Sequence, residues 1–266
     1  MTLTTSALRI FRFQFQDALS SRWLLVHTLI YLLIAEGLLM STGFTDKALV
    51  SLINVVLLLV PLVALLFGVI HQYNNRDYTI WMLTQPLERP GLFSGLYLGL
   101  TVPMVLSFSI GITLPFLWHG GLIAVQSLKL LTLLGLGSIL TFSGAGVASS
   151  LAIRFSDRVR GIGLALVIWL VYALLFDGLI LMGILIFGNW PVEKALIGVM
   201  LLNPIDLARL ILLQTFDAAA MLGYTGAVFS RFFGSSTGMV IATTALLFWV
   251  ATPVWVAGRL FQKQDF

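Results

Sequence analysis

Residues Arg76 to Pro90 read RDYTIWMLTQPLERP, and they join two long apolar runs, Ala48–Ile70 and Leu92–Leu117. Two arginines, two acids and two prolines stand in this connector. A turn that only reversed the chain could be a few Gly and Ser residues. Ile80, Leu83 and Leu87 fall at helical spacing, with Trp81 and Met82 beside them, so the stretch predicts a short amphipathic helix. Pro86 and Pro90 limit it to about two turns, and Asp77 favours its start through the helix dipole. Two uses stay open for such a helix. It can dock as a rigid lever in a cleft of a soluble partner, or lie as a turn on lipid headgroups.

The flanking runs identify the solvent. A spanning helix needs roughly 20 mostly apolar residues. Six stretches meet or nearly meet this: Trp23–Met40, Ala48–Ile70, Leu92–Leu117, Leu128–Ile153, Gly161–Phe187 and Thr237–Gly258. Composition agrees, with 59% hydrophobic and only 10% charged residues and a mean hydropathy of +1.02. Soluble domains are roughly half apolar and about a quarter charged. The expectation is an all-α polytopic membrane protein with six transmembrane helices, residues 1–266 forming one domain. The first stretch follows a 22-residue leader (1–22), no A-x-A pattern follows it, and five more stretches come after, so it reads as a span rather than a cleaved signal. The chain has no cysteine, which excludes disulfides and thiolate chemistry.

Lys and Arg give the direction. Arg9, Arg12, Arg22, Arg76, Arg89, Arg154, Arg158, Arg160, Arg259 and Lys263 fall on one side, and Lys47, Lys129, Lys194, Arg209 and Arg231 on the other. The first set is twice the second, so both termini, the Arg76 loop and the Arg154 loop are expected in the cytoplasm. The small basic excess reflects topology and not nucleic-acid binding.

The segment 188–236 is nearly as apolar as the spans, but Asn203, Pro204, Asp206 and Arg209 interrupt it. It reads as an outer pair of interfacial helices or a re-entrant pair. Asn203 is a good N-cap, with Pro204 at the first helical position and Asp206 in the first turn. Asp206, Arg209 and Asp217 then share one face and leucines the other, which predicts an amphipathic helix lying at the outer surface. In the leader, Leu8, Phe11, Phe15 and Ala18 share a helical face, which predicts an interfacial helix feeding the first span. The tandem glycines Gly91, Gly95 and Gly99 in the third span, and Gly137, Thr141, Ala145 and Ser149 in the fourth, form faces that let helices approach closely. The fourth-span face is expected to pack within the chain.

Two acids lie inside spans, Glu36 in the first and Asp177 in the fifth. Burying either at bilayer depth costs a few kcal/mol unless it is neutral, paired or wet. They read either as lining a translocation path or gate, or as hydrogen-bonded struts between helices. A proton-coupled carrier would use the same two acids but would want basic partners at matching depth. His27, His71 and His119 are scattered near span ends, and Met182 stands alone in its span, so no metal site is expected. There is no G-x-x-x-x-G-K-[ST] phosphate loop and no H-E-x-x-H pair. The chain is therefore not expected to be an enzyme, and any ATP and Mg²⁺ would bind a separate polypeptide.

The order of parts resembles the permease subunits of ABC-2-type exporters. A leader ends in SSRW (Ser20–Trp23), two spans follow, then the polar connector, four more spans, and an outer segment before the last. A pattern close to T-x-x-x-L-x-Q-P-x-x-R follows the second span in that family; Thr79, Leu83, Gln85, Pro86 and Arg89 match it, with Tyr78 where a glycine is common. RDYTIWMLTQP, YALLFDG (Tyr172–Gly178) and LLNPIDLARL (Leu201–Leu210) resemble more narrowly the branch that serves copper-site maturation of nitrous-oxide reductase. The resemblance implies a homodimeric permease in a bacterial inner membrane, a cytoplasmic ABC ATPase and a periplasmic β-helical partner. It makes residues 71–91 the coupling loop, with Arg76, Asp77, Thr79, Leu83, Gln85, Pro86 and Arg89 as contacts. Arg154, Asp157, Arg158 and Arg160 would form a second cytoplasmic contact, and Asn203, Asp206 and Arg209 the outer docking site. The cargo would be a sulfur or copper-related species; a drug or lipid exporter is the alternative.

Overall fold

The structure, a computed structural model, describes residues 3–43, 45–125, 127–187, 198–216 and 236–264. The described elements are all helical: α1 (Leu3–Ser20), α2 (Arg22–Thr42), α3 (Thr45–Asn74), α4 (Arg76–Leu83), α5 (Arg89–Val125), α6 (Leu128–Arg154), α7 (Arg158–Leu170), a π-helical turn (Val171–Leu175), α8 (Phe176–Phe187), α9 (Pro204–Thr215) and α10 (Ser236–Lys263). Among the described residues six helices are long and apolar enough to cross a membrane: Arg22–Thr42, Lys47–Asn74, Arg89–Gly120, Leu128–Arg154, Arg158–Gly183 and Thr237–Lys263. They coincide with the six stretches read from the sequence.

Helix ends are set by local chemistry. Ser21, Ser127, Asp157 and Asn203 sit in extended backbone and accept from the amides of Trp23, Leu130, Val159 and Ile205, satisfying donors that the helix leaves unpaired. Gly43, at φ +64°, closes α2 in the left-handed region that only glycine enters freely. Pro253 lies inside α10 and cannot donate to the carbonyl of Trp249. The Ser143 hydroxyl of α6 donates to that carbonyl at 2.9 Å, which is what an apolar solvent demands of a broken helix bond.

Spans two, three and four are the middle of the bundle, and α6 is its axis. The small residues of α6 do pack inside the chain: a Cβ on Gly144 would stand 2.9 Å from the Ala64 Cβ of α3, while Ala145, Ala148 and Ser149 are fully buried. The glycines of α5 serve a different partner from the one expected of a span. A Cβ on Gly95 would fall 2.9 Å from the carbonyl oxygen of Ala7, and Gly99 lies against Gln14. They receive the leader helix α1. Its buried face is Ile10, Gln14 and Ala18, whereas Leu8 is exposed, so the predicted face Leu8–Phe11–Phe15–Ala18 shares Ala18 but is rotated by about 80°. Hydrophobic periodicity points Leu8 inward; the close approach at Gly95 and Gly99 selects the face with the better fit.

The basic leader, α4, the Arg154–Arg160 turn and the end of α10 gather at one end of the bundle, called here the basic end. Ile10, Leu92, Ile153, Ala257 and Phe261 form one cluster there. α9 inserts at the opposite end, in the main core with α3, α6 and α10. The 12 residues of α9 give about 18 Å of helix, too short to span.

Candidate functional site

At the basic end, α4 follows α3 with almost no break. The Thr79 hydroxyl donates to the Asn75 carbonyl at 3.0 Å, and the Thr84 hydroxyl to that of Trp81 at 2.7 Å. The helix ends at Leu83, Pro86 lies in the turn that follows, and Pro90 sits in the first turn of α5, where a missing N–H is harmless. No residue of α4 is buried. Met82, Leu83 and Leu87 lean on the basic-end cluster. Asp77, Trp81, Gln85, Pro86 and Glu88 face outward, with Trp81 60% exposed. Tyr78 stacks on Phe13 of the leader with ring centroids 5.7 Å apart, and its hydroxyl is held above the ordinary tyrosine range by burial. The result is a stiff, apolar-backed projection with an aromatic outer edge.

The arginines of this segment turn inward. Arg76 Nη1 donates to the Ser156 carbonyl at 3.4 Å, beside Tyr73, whose hydroxyl donates to the Phe155 carbonyl at 2.7 Å. The first loop is thereby tied to the second. Asp157 caps α7 through the Val159 amide and pairs with Arg160 at 3.4 Å. Arg154, Arg158 and Arg160 are exposed around it. Arg89 Nη1 donates to the carbonyls of Gln262 and Gln264, at 2.8 and 3.1 Å, at the end of α10. Of the seven connector residues singled out in the sequence, Asp77, Gln85 and Pro86 are exposed, Thr79 and Leu83 are half-buried, and the two arginines bind backbone of other elements.

The opposite end differs from its reading. α9 does not lie on the outer surface with its charges outward. Asn203 and Asp206 are 0% and 2% exposed, and Ile205, Leu207, Ala208 and Leu210–Leu213 are buried as well. Asp217, the third member of the predicted polar face, lies outside the described residues, as does most of 188–236. Asn203 and Asp206 therefore cannot meet an outer partner directly. They belong to an internal network. Asn203 Oδ1 caps Ile205, and its Nδ2 donates to the Tyr172 carbonyl at 2.8 Å and to Asp206 Oδ2 at 2.9 Å. Arg209 Nη1 donates to Asp206 Oδ1 at 3.1 Å and to Asp177 Oδ2 at 2.6 Å. Tyr172 is in the π-helical turn, where the hydrogen-bond register slips and a carbonyl becomes available to a side chain. Burial, and next the nearby Asp177 carboxylate, raise the Asp206 carboxyl above the ordinary carboxylate range.

YALLFDG and LLNPIDLARL, separate strings in the sequence, are thus one site in space. Nothing in the local sequence announces the π turn, since no Gly or Pro marks it. The signal that could have been used is the pairing of an intramembrane acid with the arginine of the interrupted outer segment. The other acid is also paired: Glu36 accepts from Trp118 Nε1 at 3.0 Å and lies 2.8 Å from His119 Nε2, which joins the ends of α2 and α5 that lie away from the basic end. Both acids therefore have polar partners from another element, as an apolar solvent around the bundle requires. Among the described residues no three His, Asp or Glu side chains gather as a metal site would need.

No protein-family profile matches the chain. Two similar proteins are known as probable ABC transporter permease protein NosY. The one from Pseudomonas aeruginosa is 31% identical over 268 residues, covering 94% of each chain. The one from Stutzerimonas stutzeri is 26% identical over 280 residues, covering 96% of this chain and 97% of its own. With six apolar helices and near end-to-end similarity to such proteins, this chain is a member of the NosY-type family of ABC transporter permeases.

Proposed function

We propose that the chain is the membrane subunit of an ATP-driven transporter in a bacterial inner membrane, working as a homodimer with a separate, NosF-like ATPase. The basic end lies in the cytoplasm, by the excess of Lys and Arg there. A periplasmic, NosD-like β-helical protein docks at the opposite end, and the cargo is a sulfur or copper-related species used to mature the copper sites of nitrous-oxide reductase. This chain binds no cofactor of its own; ATP and Mg²⁺ sit on the ATPase.

The exposed α4 projection carries the reading. A membrane protein whose only task at this loop was to turn round would gain nothing from a rigid helix with Trp81 held out in water. Such an edge suits a cleft in a soluble partner, since aromatic side chains dominate docking energy. The two inward arginines tie that projection to the Arg154 loop and to α10, so a push on it reaches several spans. Asp177 and Arg209 form the outer gate in this reading, with α9 as its buried hinge piece.

The test is a mild-detergent pull-down of the tagged chain from native membranes, with partners identified by mass spectrometry. An ATPase and a periplasmic repeat protein together are expected. An ATPase alone would leave a drug or lipid exporter. Neither, with a folded dimeric preparation, would turn attention to a proton-coupled carrier acting through Glu36 and Asp177.

A further inference from the structure

The sequence motif makes Arg89 look like a contact for the ATPase. Its geometry assigns it elsewhere. Arg89 stands at the start of α5, three residues after Pro86, and its guanidinium reaches across to the last turn of α10. The carbonyls it binds, those of Gln262 and Gln264, lie where a helix has no amides left to pair with them. A cation at that end also meets the negative pole of the helix dipole. Around this link the contacts are apolar: Leu87, Leu92 and Phe93 against Ala257 and Phe261, with the Phe93 and Phe261 rings 5.7 Å apart. Arg259 on α10 is occupied with Trp255, 4.3 Å from its ring centre. Covalently, the coupling turn joins spans two and three and has no link to span six. Arg89 is the described polar bond from that turn to span six.

We infer that Arg89 is a positioning residue that makes the coupling turn and the sixth span move as one body, so that a stroke delivered at Trp81–Pro86 enters span six as well as spans two and three. This rests on the ATPase-coupling reading above.

The chain has no cysteine, so single thiols report cleanly on each span. Val240→Cys places one on the opposite end of span six, and Leu117→Cys one on the corresponding end of span three; both positions are exposed. The measurement is the rate of maleimide labelling of each thiol, in nanodiscs with the copurified ATPase, with and without ATP and vanadate. The parent background is expected to show a nucleotide-dependent rate at both thiols. With Arg89→Ala, the ATPase should copurify at the parent's stoichiometry, the Leu117→Cys thiol should keep its response, and the Val240→Cys thiol should lose it. Arg89→Lys, which keeps a cation at the helix end, should restore part of the response. A Val240→Cys response that persists in Arg89→Ala overturns the inference, as does its absence in the parent. Loss of the ATPase from Arg89→Ala also overturns it, because that is the signature of a direct contact. If Arg89→Ala does not fold, Arg89→Met, which keeps the apolar stem but has no donor for either carbonyl, takes its place; an undiminished response there overturns the inference equally. A parent chain that captures no ATPase removes the coupling reading and this inference together.

Discussion

α4 and α9 are both short helices beside a proline, and both read from sequence as amphipathic pieces at a membrane surface. α4 has no buried residue, while eight of the twelve residues of α9 are buried. Their local codes are nearly alike, each with an acid in the first turn and a few apolar side chains at helical spacing. What differs is the neighbourhood. α4 projects beyond the end of the bundle and touches it along one apolar edge. α9 is inserted between α3, α6 and α10, so even its polar residues must find partners inside. The lesson is that an amphipathic face tells which residues want apolar company, not how much of the helix gets it. A helix with charges at i and i+3 can put them in water, or pair them in a core network.

Matched charge substitutions break this comparison with the largest effect. Leu212→Asp puts an unpaired carboxylate into a fully buried site of α9 and should cost about 3–5 kcal/mol, seen as loss of monodisperse protein in size-exclusion chromatography. Trp81→Asp, the same kind of change on α4, should leave yield and thermal midpoint unchanged and weaken capture of the ATPase. Equal losses of yield would remove the distinction between the two helices. Next in size is Arg209→Ala, which leaves Asp206 buried beside Asp177 without a cation. About 2–3 kcal/mol should be lost by tryptophan-fluorescence melting, with part regained on adding Asp206→Asn. Asn203→Ala removes a cap and the bond to the π turn, for about 1–2 kcal/mol in the same assay. Pro86→Gly frees the exposed turn and should lower stability by only about 0.4–1 kcal/mol, while reducing permease-dependent stimulation of ATP hydrolysis. A stable variant with unchanged stimulation would show that stiffness at Pro86 is not used.

The smallest expected effect is a slope with pH. The Asp206 carboxyl is raised in the folded state, so folding favours its protonated form. That contribution is fully present below the ordinary carboxylate pKa and is lost as pH rises through the raised one. Thermal midpoints of the parent minus those of Asp206→Asn should therefore fall from acid towards neutral pH. A flat difference would mean that Arg209 fully compensates the burial of Asp206.

Much of the fold was legible because the bilayer simplifies the code. Span number follows from apolar length, and the start proposed at Asn203 is a side-chain cap in space. The small-residue face of α6 was legible too, since close approach needs small side chains wherever the partner lies. Which partner was not legible. Gly95 and Gly99 look the same whether they receive a span or a leader, and only the packing shows that α1 is what they hold. The site was half legible: the connector stood out as polar between apolar runs, but the inward turn of Arg76 and Arg89 depends on carbonyls 80 and more residues away.

The sequence by itself determined that the chain spans a membrane with six helices, that the basic loops and tails belong to one side, and that the Arg76–Pro90 connector holds a short helix that stops before Pro86. These follow from composition and local period, which act within a turn or two of helix. Tertiary structure alone decided that α9 is buried, that Arg209 meets Asp177 while Asn203 meets the π turn at Tyr172, and that Arg89 holds the end of α10. Each of these is a meeting of groups far apart in the chain. Such meetings are chosen by shape and by the need to pair every buried polar atom, and no local pattern encodes that choice.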